Sequence, residues 1–155
     1  MANPKTLDAT IRSIRACFSR LKATGDALHA DVGVTSAMRA VMEYLAENGA
    51  KTVPDVAKAK RHSRQHIQTL ADILAADGLL KFKKNPEHKR SNLMQLTARG
   101  NRTFAAMKER EALALRTLSG ALQEQDLATT LRTLTSLQTA LEEGLNERQD
   151  NDSDQ

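Results

Sequence analysis

Five side chains in one short stretch, Ser63, Arg64, Gln65, Gln68 and Thr69, have the types and spacing to read the edges of DNA bases. Ile67, Leu70, Ala71 and Leu74 fall at i, i+3, i+4 and i+7, which places them on the inward face of one helix. Arg64, Gln65, Gln68 and Thr69 then project from the other side, with Ser63 as the helix cap. Arginine matches the two acceptors on guanine and glutamine the donor–acceptor pair on adenine. A merely solvated helix face would carry the same residue types. A second group, Lys83, Lys84, Lys89 and Arg90, concentrates positive charge within a few residues, suited to phosphates or a narrow minor groove. The alternative for these four is a solubilising or edge-protecting hairpin. Arg61 and Arg99 are candidate backbone clamps.

Other reactive residue types are sparse. Cys17 lies at i+3 from Ile14 and next to Phe18, on or beside an apolar helix stripe. Base rates of cysteine burial favour a buried, inert thiol there. A redox sensor is the alternative, since a reactive thiolate needs donors or positive charge and Arg20 lies within a turn. His62 and His66, at i and i+4, could share a metal, but two ligands do not make a site and no carboxylate or cysteine accompanies them at useful spacing. DNA contact or turn packing is the expected role of this pair, and no metal is expected. No glycine-rich phosphate loop, nucleophile elbow, His-Glu-x-x-His or clustered carboxylate pair is present. The expectation is therefore a protein without enzymatic activity and without a cofactor.

The charge distribution locates the polyanion-facing part. Residues 51–108 carry 13 basic and 4 acidic side chains, whereas residues 109–155 carry 4 and 10. The formal net charge of +4 thus conceals a +9 segment followed by a −6 segment. One cysteine in 155 residues excludes an internal disulfide framework and fits a reducing, cytoplasmic setting. No apolar run approaches the ~20 residues needed to cross a bilayer, so no membrane association is expected.

The elements that must hold these groups are mostly helical. Leu7, Ile11, Ile14, Phe18, Leu21 and Leu28 form a heptad-like stripe on one long helix. Thr35 starts a second helix burying Met38, Val41, Met42 and Leu45, and Asn48-Gly49 stops it. Thr52-Val53-Pro54-Asp55 reads as a capping box for a short third helix with Val56 and Ala57 inward. The fourth helix opens at Ser63 and ends at Asp77-Gly78. Leu80 and Phe82 alternate with lysines, Asn85-Pro86 supplies a turn, and Met94 and Leu96 alternate with Gln95, which is a β-hairpin pattern. Thr97 caps a helix bearing Phe104, Met107, Leu115, Leu118 and Leu122. A last helix carries Leu127, Leu131, Leu134, Leu141 and Leu145.

Helix, turn, helix and then a basic hairpin is the order of a winged helix–turn–helix. Beyond that order, Val56-Ala57, Ser63-Arg64-Gln65, Leu74 with Asp77-Gly78-Leu79, Asn85-Pro86 to Arg90-Ser91, and Leu96-Thr97-Ala98-Arg99-Gly100 together resemble the MarR family of bacterial transcriptional regulators, over roughly residues 7–145. The fold class expected is mainly α (α+β), a winged lobe with a two-stranded hairpin wing plus N- and C-terminal dimerisation helices. The corresponding division is a dimerisation helix over 1–34, a DNA-binding lobe over 35–100, C-terminal dimerisation helices over 101–145 and a disordered tail over 146–155. The leucine stripes point to dimerisation independently, because one small lobe cannot cover that much apolar surface.

The resemblance implies a homodimeric repressor on double-stranded DNA with a pseudo-palindromic operator. Its recognition helices would enter successive major grooves ~34 Å apart, and a small-molecule effector or oxidation would release it. Some MarR-like hydroperoxide sensors carry a reactive cysteine followed by phenylalanine in the first helix, as Cys17-Phe18 stand here, although they also use tyrosines and Tyr44 is the only one in this chain. The sequence departs from the family in one place. Such wings commonly carry Asp-x-Arg, and the matching positions here are His88-Lys89-Arg90, so the carboxylate that would orient Arg90 is missing, with Glu87 the nearby substitute. That departure, with the long leucine stripes, supports an alternative: a helical protein-interaction adaptor on a winged-helix scaffold that does not bind DNA.

Overall fold

Short polar side chains set almost every helix boundary in the first hundred residues. The computed structural model describes the backbone of residues 1–153 and the side chains of residues 1–144. The disorder expected over 146–155 is corrected for its first eight residues, whose backbone continues the last helix (Glu124–Ser153), and residues 154–155 lie outside the described residues. Helix α1 (Pro4–Leu28) starts at Asn3, whose side chain accepts from the Lys5 amide. A single 3-10 turn (Ala30–Val32) leads to α2 (Ser36–Asn48), where the Thr35 hydroxyl accepts from the Met38 amide. Asp26 on α1 reaches across that turn and accepts from the Ser36 amide at 2.6 Å. Gly49 at φ 73° ends α2, as the Asn48-Gly49 pair predicts.

Strand β1 is only two residues (Lys51–Thr52) and runs straight into α3 (Val53–Lys60). Thr52 closes the expected capping box: its hydroxyl donates to Asp55 Oδ2 at 2.7 Å, and its backbone amide donates to the same oxygen. Helix α4 (Arg64–Ala76) follows, then β2 (Leu80–Lys83) and β3 (Leu93–Leu96). Gly78 at φ 71° forms the C-terminal stop of α4, with the Gly78 and Leu79 amides returning to the Ala75 and Leu74 carbonyls.

The sheet has three antiparallel strands in the order β1-β3-β2, one more than the expected hairpin. Leu80 faces Leu96 and Phe82 faces Met94 across the wing, while Thr52 faces Leu93 on the inner side. A two-residue strand carries no legible alternation, and its partner lies some forty positions away. Leu80, Met94 and Leu96 turn inward as expected, whereas Phe82 stays partly exposed. The core gathers Met38, Val41, Met42 and Leu45 of α2, Val56 and Ala57 of α3, and Ile67, Leu70, Ala71 and Leu74 of α4, joined by the strand residues and by Met107.

Helix α5 (Ala98–Ser119) leaves the sheet through Thr97. The Thr97 amide donates to the Leu79 carbonyl, its hydroxyl donates to the Gly78 carbonyl at 2.7 Å, and its oxygen accepts from the Gly100 amide at 2.9 Å. A Cβ on Gly100 would stand 1.9 Å from the Leu79 oxygen, so backbone meets backbone at this point.

One polar cluster is set into the lobe beside the core. Buried His29 places Nε2 3.0 Å from Glu111 Oε1, and Arg39 clasps both oxygens of Glu111 and pairs with both oxygens of Glu43 while lying over the Phe104 ring. Burial acts to raise the Glu111 carboxyl, but the hydrogen bonds from Arg39 and His29 outweigh it and hold it below its ordinary value. His29 Nδ1 has no hydrogen-bond partner among the described residues. At the surface nearby, Arg110 forms a two-pronged pair with Asp31 at 2.6 and 2.8 Å.

The chain divides into two compact units, Met1–Glu111 and Ala112–Gln155. In the first, α1 buries none of its residues, and Phe18, Leu21 and Cys17 are exposed on the chain. Within the single chain the Cys17 thiol is therefore not buried, while Ile11, Ile14 and Leu28 of the same stripe are half-buried. The second unit holds the end of α5 and helix α6 (Glu124–Ser153). Leu115, Leu118, Leu122, Leu127, Leu131 and Leu141 are all exposed there, and Leu122 falls in the turn beyond α5 rather than on it. Leu145 lies outside the residues described with side chains.

Gly100→Ala should destabilise the lobe by about 3 kcal/mol, since backbone rather than a pliable side chain must give way, read as a lowered urea midpoint at unchanged slope. The carboxyls of Asp26, Asp31, Asp55 and Glu111 all lie below their ordinary values, through Ser36, Arg110, Thr52 and the Arg39–His29 pair respectively. Depressed carboxyls stabilise the folded state above the unfolded value of about 4, and that stability is lost as pH falls through the folded values. Thermal midpoints should therefore drop between about pH 5 and pH 3, and Glu111→Gln should flatten the dependence.

Candidate nucleic-acid interface

Two helices joined by a tight turn present one exposed face because three caps fix them. Thr52 anchors α3, and Asp55, held low by the Thr52 hydroxyl and amide, keeps the acceptor that closes the cap. At the other end Arg61 adopts φ 55°, the one positive-φ residue other than glycine among those described, so that the chain reverses within three residues. The His62 amide donates back to the Ala57 carbonyl, and the Ser63 oxygen accepts from the His66 amide to start α4.

The buried face of α4 packs on α2 and α3, which leaves Arg64, Gln65, Gln68 and Thr69 exposed on the opposite side. These four share a cleft of about 640 Å³ with Val53 and Pro54 of α3, Asp72, and Phe82, Arg90, Ser91 and Asn92 of the wing. Helix and hairpin thus form the two walls of one groove. Within it Thr69 donates its hydroxyl to the Gln65 carbonyl at 3.0 Å, and Gln68 donates an amide hydrogen to Asp72 at 2.8 Å. The wing turn is closed by Asn85, whose side chain accepts from the Glu87 amide at 3.0 Å.

The other expected residues stand around this groove. Ser63 spends its oxygen on the cap. Lys83, Lys84 and Lys89 are exposed on the hairpin without lining the cleft. Arg61 is exposed at the turn. Arg99 lies apart from the cleft, in a smaller depression with Asp31, Asp77, Leu79 and Thr103. Cys17 is on α1, away from the cleft residues. The His62 and His66 rings lie 4.9 Å apart, and among the described residues no group of three or more His, Cys, Asp or Glu side chains could hold a metal ion. No ion pair joins Glu87 to Arg90 among the described residues, and the carboxylate that lines the groove with Arg90 belongs to Asp72. Sequence reasoning passed over Asp72, although its i, i+4 spacing from Gln68 was in view. Ser91 and Asn92 were likewise not singled out. No helix among the described residues is long and apolar enough to cross a membrane.

Comparison with known proteins identifies the fold. No protein-family model matches the chain. Uncharacterised proteins from Mycobacterium tuberculosis and Mycobacterium bovis are 31% identical over 121 residues, covering 78% of this chain and 84% of theirs. A crystal structure of a MarR family transcription regulator superposes with a TM-score of 0.82 at 24% identity, covering 90% of this chain and 92% of that one. The structure of reduced AbfR bound to DNA superposes with a TM-score of 0.70 at 16% identity, covering 88% and 94%. The chain has the winged-helix fold of the MarR regulators. It belongs to the same family as the mycobacterial proteins.

Proposed function

We propose that the protein is a homodimeric, sequence-specific DNA-binding regulator that represses transcription from a pseudo-palindromic operator. The observation that carries the reading is the cleft between α4 and the wing, in which Arg64, Gln65, Gln68 and Arg90 stand together within the +9 segment. In this reading α4 enters a major groove and supplies contacts to base edges, and Lys83, Lys84, Lys89 and Arg90 grip the flanking backbone or minor groove. Arg61 holds a phosphate at the turn. Arg99, turned to a different depression, contributes long-range charge more than a direct clamp.

Two copies are required by the apolar residues left uncovered. Phe18 and Leu21 on α1, and Leu127, Leu131 and Leu141 on α6, are exposed on the single chain, and rows of large apolar side chains of this kind bury against a second subunit. The first and last helices are accordingly the dimerisation elements, and the lobe over 35–100 is the DNA-binding part. A small ligand, or oxidation of exposed Cys17, would act by favouring a lobe spacing that no longer fits the groove repeat.

The protein should bind a fragment carrying its own promoter, with an affinity that falls steeply with salt. Arg64→Ala and Arg90→Ala should each weaken binding, and each lysine neutralised on the wing should reduce the log–log salt slope by about 1. A wild-type protein that binds no duplex in a salt-dependent way would exclude the reading and leave the interaction adaptor in its place. Sedimentation should give a dimer mass for the wild type, and Phe18→Glu with Leu131→Glu should shift it toward the monomer while the lobe remains folded.

A further inference from the structure

The cleft contains one acidic side chain, Asp72, in a wall otherwise built of neutral and cationic groups. A carboxylate facing phosphates weakens binding, so its presence there calls for a compensating role. Its contact supplies one. Gln68 Nε2 donates to Asp72 Oδ1 at 2.8 Å. A carboxylate can only accept, so the Gln68 amide must turn its NH2 end toward Asp72, whatever the ambiguity of amide ends in general. One of the two N–H donors of Gln68 is thereby occupied. What remains for a partner in the groove is one N–H and the Oε1 acceptor.

That remainder discriminates between bases. In the major groove adenine presents an acceptor at N7 and a donor at N6, whereas guanine presents acceptors at both N7 and O6. An amide with one donor and one acceptor left satisfies adenine twice and guanine only once. Thr69 beside it has its hydroxyl hydrogen on the Gln65 carbonyl and brings no extra donor to this part of the helix. We propose that Asp72 is a positioning residue for specificity: by occupying one amide hydrogen of Gln68 it commits that side chain to adenine over guanine. The inference rests on the DNA-binding reading above. The bland alternative is a helix-stabilising i, i+4 pair with no bearing on sequence choice.

The test is selection from a random-sequence duplex library by the full-length wild type, Asp72→Ala, Gln68→Ala and the double variant. Wild-type sites should contain an A·T position that Gln68→Ala loses. Asp72→Ala should keep that position but lower its preference for A over G roughly ten-fold, and in the Gln68→Ala background Asp72→Ala should change nothing further there. Asp72→Lys, which can only donate, would engage Oε1 instead and free both N–H donors. It should move the same position toward guanine, and do so only while Gln68 is present. A wild-type motif that Asp72→Ala and Asp72→Lys leave unaltered at the Gln68-dependent position would overturn the inference while the DNA-binding reading stands. So would a change that persists without Gln68. A wild type that selects no motif would overturn both.

Discussion

The lobe depends on a contact in which no side chain intervenes: the backbone of Gly100 against the carbonyl of Leu79. Leu79 directly follows the Gly78 stop of α4, and Thr97, which ties to both Gly78 and Leu79, directly follows β3. Three elements therefore meet within a few ångströms: the end of α4, the exit of the wing and the start of α5. Any side chain at position 100 would wedge α5 away from the end of α4. The position of the wing relative to α4, and with it the width of the cleft, follows from this close approach.

Electrostatics divides the same molecule differently. The groove-facing side of the lobe is basic, with Arg64 and Arg90 lining the cleft. Away from the groove, Arg39 and Arg110 bind Glu111 and Asp31. Arginines near the carboxylates of α5 and the α1–α2 turn are thus spent on structure, while Arg64 and Arg90 remain available to an external anion. Net charge alone conceals this division, because both kinds of arginine count equally in it.

Much of the lobe was legible in the sequence because its determinants are local. Thr35, Thr52 and Ser63 cap helices that begin at the next residue, Gly78 ends one, and the 3.6-residue spacing of Ile67, Leu70, Ala71 and Leu74 identifies the buried face. What escaped involved distance along the chain or the limits of a short signal. His29 and Glu111 are 82 positions apart, so nothing in either neighbourhood announces the pair. Strand β1 is too short to show a period. The exposure of Cys17 on the single chain could not be read from its stripe, because an apolar stripe records a tendency to bury and not the surface that does the burying. The Gln68–Asp72 contact, at i and i+4 on one helix, is by contrast local in the sequence.

Thr52 is at once a strand residue paired with Leu93 and the cap of α3. Its backbone amide goes to the Asp55 carboxylate, and its hydroxyl holds the same group. The base of the wing cannot detach at this point without also releasing the first turn of the helix–turn–helix, and the reverse is equally true. The two therefore open as a single cooperative unit. The hairpin between Lys83 and Leu93 lies beyond the paired strands and, among the described residues, has no residue shared in this way with a helix cap.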